Sequence, residues 1–249
     1  MKSVRSVRFR SVDERFWIRA ILNYVWKMKT TLVSLFFLIG FFIGEVQSQT
    51  VPFDKEVKLI TDRLKREGYQ VGSTLFTGSS SIRMWVSLQE DFPQKPIINT
   101  GFGGSTAADL KRHLYPLVLQ LRPARVFIYE GDNDINNGTP IDEIMADLEQ
   151  IVMRIQVVDP NCQVYLISAK PSPSRWDKKE QYLALNEAMK SYTEKKENVG
   201  FVDVWTPMLD EDGNPKSDIF LEDQLHMNKA GYDIWREIFA KYFPEETLQ

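Results

Sequence analysis

From residue 74 onward, short apolar runs alternate with longer amphipathic segments, and this alternation limits the fold more than any other feature of the sequence. Five runs are rich in β-branched and aromatic residues and end in turn formers, which predicts buried strands: TLFTG (74–78), PIINTG (96–101), RVFIYEG (125–131), QVYLISA (163–169) and VGFVDVW (199–205). Five segments carry apolar residues at spacings of three and four, which predicts helices: 53–68, 109–121, 140–158, 177–197 and 228–243. Parallel strands need long crossovers, which helices supply, so we predict an α/β fold: a three-layer α/β/α sandwich around a five-stranded parallel sheet.

The first 48 residues are not expected to belong to that domain. Residues 1–27 are basic, and Lys29 precedes an apolar run at 32–43 that ends in the small-residue segment VQS (46–48), which is the layout of a secretory signal peptide. About a dozen apolar residues are short for a bilayer span. We therefore expect cleavage after Ser48 and export to the periplasm or the medium, with an uncleaved anchor as the alternative. The start at Met1 or at Met28 stays open.

Residues 49–249 are then one domain of 201 residues, long enough for a sizeable core. They contain 23 Lys and Arg against 31 Asp and Glu, a net charge of −8, which argues against nucleic acid as a partner. Cys162 is the only cysteine, so the domain is expected to fold without an internal disulfide, and cysteine-based metal sites are excluded. The oligomeric state is not predicted.

The two histidines are the candidate bases. His113 lies among charged residues on a predicted helix, where we expect a solvated surface position. His226 precedes the last helix and follows Asp223 by three residues, so a carboxylate can hold its Nδ1–H while Nε2 faces a nucleophile. This spacing is common by chance and needs a serine to carry meaning.

Candidate partners for His226 follow three predicted strands. TGSSSIRMW (77–85) places serines where the first strand must turn into a helix, and capping alone hardly needs three of them. NTGFGGST (99–106) offers a backbone N–H of Gly103 or Gly104 to an oxyanion, and Asn133 offers a side-chain N–H₂. Ligands of parallel sheets bind beyond the carboxyl ends of strands, which is where these residues are predicted to lie.

These four blocks resemble, in order, those of the SGNH or GDSL hydrolases, and the short members similar to platelet-activating-factor acetylhydrolase most of all. The resemblance covers roughly residues 74–240. It implies a flavodoxin-like strand order, Ser80 as nucleophile, Asp223 and His226 as the rest of a triad, and an oxyanion hole of the Ser80 N–H, Gly104 and Asn133. The family's Gly-Asp-Ser reads Gly-Ser-Ser here, so Ser79 or Ser81 could be argued, but Ser80 keeps the family's spacing from Gly78.

A calcium loop is the rival interpretation of residues 132–143. Asp132, Asp134, Asn136 and Glu143 nearly fit an EF-hand, but Gly138 falls one place late, Pro140 takes the ninth position, and a strand precedes the loop. We expect no calcium there and no metal or organic cofactor in the reaction.

The predicted function is that of an exported serine esterase acting on a small-molecule or carbohydrate ester. The short chain has no long insertion to form a lid, which favours a short, acetyl-like acyl group on a sugar or other polar alcohol. The alternatives are a lysophospholipase or thioesterase and a non-catalytic carbohydrate- or lipid-binding module on the same fold. No stable membrane span is expected after cleavage.

Overall fold

The computed structural model divides the chain into two compact units, Met1–Thr50 and Val51–Gln249. In the second unit it describes residues 51–93 and 95–243, and in the first only Asn23 and Trp26. The basic extension, the apolar run at 32–43 and the expected cleavage point after Ser48 therefore lie outside the described residues, and the predictions made for them stay predictions.

Five parallel strands form one sheet in the order β2-β1-β3-β4-β5, which is the flavodoxin-like order. They are β1 (Thr74–Gly78), β2 (Ile97–Asn99), β3 (Arg125–Tyr129), β4 (Gln163–Ile167) and β5 (Val199–Val202). The predicted parallel sheet and three-layer fold are confirmed, although β2 to β5 end two or three residues earlier than the predicted runs. Those trailing residues form the turns that carry the site.

Eight α-helices connect and cover the strands in the described part of the chain: α1 (Asp54–Glu67), α2 (Ser80–Arg83), α3 (Leu88–Asp91), α4 (Ala107–Leu117), α5 (Asp132–Asn136), α6 (Ile141–Val158), α7 (Lys179–Thr193) and α8 (Lys229–Ala240). The predicted helix at 109–121 is divided, because Val118 leaves helical geometry and residues Leu119–Leu121 continue as a 3₁₀ turn. The short helices α2 and α5 begin directly after β1 and β3, so their first residues lie at the edge of the sheet.

Side chains alternate between two cores along each strand, as the period of two requires. Leu75, Val126 and Ile128 face a mainly aliphatic core under α1, α4, α6 and α7. Phe76 and Phe127 stack on the opposite face with ring centroids 4.6 Å apart, and α8 adds Trp235 and Phe239 to this aromatic core. The two cores hold the sheet rigidly between its helices, so the turns at its carboxyl edge have a fixed base.

Candidate active site

The turn after β1 is shaped by a close approach of two backbones. Gly78 has a φ of 125°, and a Cβ at that position would lie 2.0 Å from the carbonyl oxygen of Tyr129. Only glycine fits, since both the torsion and the contact exclude a side chain. The chain then reverses at Ser79, whose N–H donates to the same carbonyl at 3.0 Å, and α2 begins at Ser80. The turn thus lifts Ser80 to the edge of the sheet.

The hydroxyl of Ser80 is hydrogen-bonded to His226, which in turn is bonded to Asp223. Ser80 Oγ lies 3.0 Å from His226 Nε2, and His226 Nδ1 lies 2.6 Å from Asp223 Oδ2. Ser79 and Ser81 are both buried, and neither hydroxyl contacts the imidazole. Of the three serines, the structure pairs Ser80 with His226.

The loop before α8 gives Asp223 and His226 their relative orientation. Asp223 Oδ1 accepts from the backbone N–H groups of Leu225 and His226 at 3.0 and 2.9 Å, which leaves Oδ2 for the imidazole. Gln224 takes a positive φ of 54°, which lets the chain turn back between them. Burial alone would raise the pKa of Asp223, but the hydrogen bonds from His226 and Leu225 outweigh it and lower the pKa to about 2. Asp223 is therefore an anion throughout the neutral pH range.

Gly103 and Gly104 differ in whether their backbone N–H groups are hydrogen-bonded within the protein. The N–H of Gly103 donates to Glu56 Oε1 at 3.0 Å, and the Arg83 guanidinium lies directly over this glycine. Gly104 is exposed with a φ of 81°, and its N–H has no acceptor among the described residues. The Ser80 N–H, at the first position of α2, has none there either. The donors that remain available are those of Ser80 and Gly104.

Asn133 lies in the first turn of α5 and is tied to the glycine loop. Its Nδ2 donates to the carbonyl oxygen of Ser105 at 2.9 Å, and its Oδ1 accepts from Arg175 Nη2 at 3.1 Å. Because Nδ2 carries two hydrogens, one stays available after the bond to Ser105. The loops after β1, β2 and β3 begin side by side: Gly78 pairs with Tyr129, and the Phe102 N–H donates to the Gly78 carbonyl. Ser80, Gly104 and Asn133 accordingly gather at one edge of the sheet.

A buried ionic cluster behind Asn133 was not predicted from the sequence. Asp132 accepts from Arg175 at 2.6 Å, Tyr182 at 2.6 Å and Tyr129 at 2.8 Å, and Lys170 Nζ lies 3.5 Å away. Burial opposes the charge on Asp132, but Lys170 and Arg175 more than offset this and lower its pKa to about 2. Burial also lowers the pKa of Lys170. The one signal in the sequence was the proline-rich irregular segment 169–176, which supplies both cations.

Glu130 is a second buried acid at this edge of the sheet, and its pKa is shifted in the opposite direction from that of Asp132. Its Oε1 accepts from Ser105 Oγ at 2.7 Å, while its Oε2 has no hydrogen-bond partner among the described residues. Burial raises the pKa of Glu130 well above 4.5, and the neighbouring Asp134 raises it further. Burial thus favours the neutral form of Glu130, and its contact with Ser105 supports the glycine loop.

The surface position predicted for His113 is wrong. Its ring is 6% exposed, packs edge-on against Phe102, and its Nε2 lies 2.7 Å from the carbonyl oxygen of Pro52. The charged neighbours in the sequence point to other sides of α4, because successive helical residues are 100° apart. His113 thus ties the segment before α1 to α4, and its ring is buried.

Two carboxylates of the rival calcium loop, those of Asp132 and Asp134, are engaged within the protein. Asp132 belongs to the ionic cluster, and Asp134 accepts from the backbone N–H groups of Ala107 and Gly131. Across residues 51–93 and 95–243, the structure contains no group of three or more His, Cys, Asp and Glu side chains that could hold a metal ion. In the same ranges, no helix has the length and apolar character needed to cross a bilayer.

Residues 67–234 match the family model of the GDSL-like lipase/acylhydrolases. The match spans more than half of the sequence, so the chain belongs to the GDSL-like lipase/acylhydrolase family, and the resemblance found in the sequence is confirmed. As a member of this family, the protein is a carboxylic ester hydrolase acting on a small-molecule ester. Comparison with curated proteins gives no significant match.

Solved structures with the same fold include several acylhydrolases and esterases. A protein assigned as a platelet activating factor from Streptococcus pneumonia is 22% identical with a TM-score of 0.69, over 88% of this chain and 99% of its own. A GDSL-like lipase from Bacteroides thetaiotaomicron is 22% identical with a TM-score of 0.64, over 76% and 98%. A variant of an acetyl xylan esterase from Geobacillus stearothermophilus is 18% identical with a TM-score of 0.59, over 73% and 99%. At these sequence identities, the structural similarity is evidence for the fold alone.

Proposed function

We propose that Ser80, His226 and Asp223 are the catalytic triad of this ester hydrolase. The observation that carries the proposal is the continuous line of hydrogen bonds from Asp223 through His226 to Ser80 Oγ, with distances of 2.6 and 3.0 Å. Asp223 keeps the proton of His226 on Nδ1, so Nε2 is free to accept the proton of the Ser80 hydroxyl. The buried serines on either side have no such base.

The reaction then proceeds by acyl transfer in two halves. His226 takes the hydroxyl proton as Ser80 Oγ attacks the carbonyl carbon, and a tetrahedral oxyanion forms. This oxyanion collapses, the alcohol leaves with the proton from His226, and the acyl group remains on Ser80. Water, deprotonated by His226, attacks the acyl-enzyme and releases the carboxylic acid.

The oxyanion is held by three donors in this proposal: the backbone N–H groups of Ser80 and Gly104 and the side-chain amide of Asn133. The support is that both backbone groups lack an acceptor among the described residues, and that Asn133 retains one amide hydrogen. Donors fixed in advance stabilise a developing charge without reorganisation, which is usually the largest single contribution to catalysis.

For the substrate, we propose a short acyl group on a sugar or other polar alcohol. The side chains of His226 and Asp223 are 25% and 48% exposed, which fits an open site that an acyl group enters while a bulky alcohol stays in solvent. The fold shared with an acetyl xylan esterase is in line with this substrate class. Export after cleavage near Ser48 remains part of the proposal, and N-terminal sequencing of the exported protein tests it: retention of residues 32–43 would identify an anchor instead.

The test of the triad is Ser80→Ala, with Ser79→Ala and Ser81→Ala as matched controls, assayed on p-nitrophenyl acetate. We expect the first variant to lose hydrolysis while keeping its melting temperature and the controls to retain much of the rate. Activity in Ser80→Ala, or its loss in Ser79→Ala alone, would contradict the assignment. A panel from acetate to palmitate tests the acyl group: a preference for long chains would favour a lipid acylhydrolase.

A further inference from the structure

The proposed reaction does not assign a role to the buried ionic cluster behind Asn133. It consists of Asp132, Lys170 and Arg175, joined by Tyr129 and Tyr182, and every member except Arg175 is buried. Replacing a buried ion pair by apolar residues is often neutral or stabilising, so stability is a weak reason for keeping one. The cluster also touches the site directly, through a single side chain.

That side chain is Arg175, whose guanidinium bridges two consecutive residues. Its Nη1 donates to Asp132 Oδ1 at 2.6 Å and to the Asp132 carbonyl at 3.0 Å, while Nη2 donates to Asn133 Oδ1 at 3.1 Å. Only 13% of the Arg175 side chain is exposed. One rigid planar group therefore fixes both the backbone of the α5 turn and the side chain of Asn133.

The contacts of Asn133 leave its amide a single orientation. A side-chain amide has similar space requirements after a flip of 180°, so its direction must come from its partners. Arg175 can only donate, and thus requires the amide oxygen; the Ser105 carbonyl can only accept, and thus requires the amide nitrogen. The second hydrogen on Nδ2 then points away from both partners, as an oxyanion donor must.

Arg175 is itself held from two sides. Tyr182, Tyr129 and Lys170 occupy the remaining positions around the Asp132 carboxylate, so that carboxylate cannot turn away from the guanidinium. The N–H of Ser174 donates to the carbonyl of Gln224 at 3.1 Å, next to Asp223. The segment 169–176 therefore connects the Asn133 turn with the loop that carries the triad acid and base.

We propose that Arg175 is a positioning residue for the reaction: its guanidinium fixes the Asn133 amide with one N–H directed at the oxyanion. This inference rests on the proposed function, since Asn133 must be an oxyanion donor for its direction to matter. The positive charge next to Oδ1 also polarises the amide, which strengthens the N–H as a donor. A lysine in place of Arg175 keeps the charge but cannot bridge two acceptors in one plane.

The experiment compares Arg175→Lys, Arg175→Met and Asn133→Ala, and combines each Arg175 change with Asn133→Ala. The full chain is assayed on p-nitrophenyl acetate, with rates normalised to the folded fraction by circular dichroism. Lys178→Met is the matched control, because Lys178 lies in the same 3₁₀ helix as Arg175 (Pro173–Lys178) and donates to Asn136 of α5 at 3.3 Å. Two Arg175 variants are used so that kcat can be measured for one of them even if the other does not fold.

We expect Asn133→Ala to lower kcat by about 10²-fold and both Arg175 variants by at least about 10-fold, with KM changed less than about threefold, because the donor acts mainly in the transition state. In the Asn133→Ala background, the Arg175 changes should lower kcat by less than about threefold. Lys178→Met should match the unmodified protein.

Three results would overturn the inference: an unchanged kcat in Arg175→Lys, a full loss that persists in the Asn133→Ala background, or an effect confined to melting temperature. The second would indicate an effect on the rate that does not act through Asn133, and the third a role in folding alone. Failure of the proposed function looks different, because Ser80→Ala would then remain active. An inactive Ser80→Ala beside a fully active Arg175→Lys would overturn only the inference.

Discussion

Replacing Asp223 by Asn should trap His226 in the wrong tautomer. Oδ1 of Asp223 accepts from the N–H groups of Leu225 and His226, and an asparagine would keep these two bonds by leaving its oxygen in the same place. Its Nδ2 would then face His226 Nδ1 and donate to it. The ring proton must therefore move to Nε2, where it faces Ser80, and His226 can no longer accept the hydroxyl proton.

The size of the effect follows from what restoring the active tautomer requires. The asparagine would have to flip, which breaks two backbone hydrogen bonds of about 1 to 1.5 kcal/mol each and leaves two N–H groups facing an N–H₂, at up to about 3 kcal/mol per unsatisfied group. Water reaches this exposed loop and reduces the penalty, so a total of about 3 to 5 kcal/mol is reasonable. That corresponds to about 10²- to 10⁴-fold in kcat.

The assay is steady-state hydrolysis of p-nitrophenyl acetate by Asp223→Asn, with Glu222→Gln as the control that removes an exposed carboxylate one position away. KM and melting temperature should change little, since the hydrogen bonds of the loop are kept. A kcat within about fivefold of the unmodified protein would refute the tautomer argument and the assignment of Asp223 with it. A similar loss in Glu222→Gln would instead indicate a general effect of loop charge.

Three further predictions, with four substitutions, concern other parts of the site. Glu130→Gln should alter the pH dependence of stability, because folded Glu130 keeps a proton that the unfolded chain releases above pH 4.5. The free energy of unfolding of the unmodified protein should therefore fall by about 1.4 kcal/mol per pH unit relative to that of the variant, until the raised pKa is reached. The measurement is urea unfolding of both proteins at pH 5 to 8, and the same pH dependence of the unfolding free energy in both would contradict this. Gly78→Ala should destabilise by more than about 3 kcal/mol or prevent folding, because Cβ would overlap a carbonyl oxygen, whereas Gly104→Ala, with open space around it, should lose only about 1 kcal/mol. Asn133→Asp should fold but lose at least about 10²-fold in kcat, since a carboxylate would face the oxyanion, and near-normal turnover would make Asn133 a turn residue only.

Local patterns were enough to predict the sheet and the pairing of Asp223 with His226. Each strand is a compact apolar run, and Asp223 lies only three residues from His226, so the relevant information is contiguous. The choice of Ser80 over its neighbours came from the family spacing, and the structure adds that Ser80 alone reaches His226. Family resemblance and strand order together therefore predicted residues that the structure brings to one edge of the sheet.

The ionic cluster could not be predicted in this way, because its bonds join residues far apart in the sequence. Lys170, Arg175 and Tyr182 lie 38, 43 and 50 residues from Asp132, and no local pattern records such pairings. Asp132 was considered instead as a calcium ligand, since its neighbours in the chain are also acidic or amidic. The burial of His113 was missed for the same reason: its partner, the Pro52 carbonyl, is 61 residues away.

In the proposed mechanism, activity depends on the completed fold, because Ser80 and His226 are 146 residues apart in the sequence. Ser80 and the first four strands can be in place while the proposed base is still absent, because His226 is positioned by the turn that leads into α8. That helix in turn packs Trp235 and Phe239 into the aromatic core, and its Tyr232 hydroxyl donates to the Ser81 carbonyl. A chain that ends before residue 226 would possess the nucleophile without a base to activate it. In the proposed mechanism, hydrolysis therefore requires α8 to pack against the sheet, because the turn that leads into α8 positions His226.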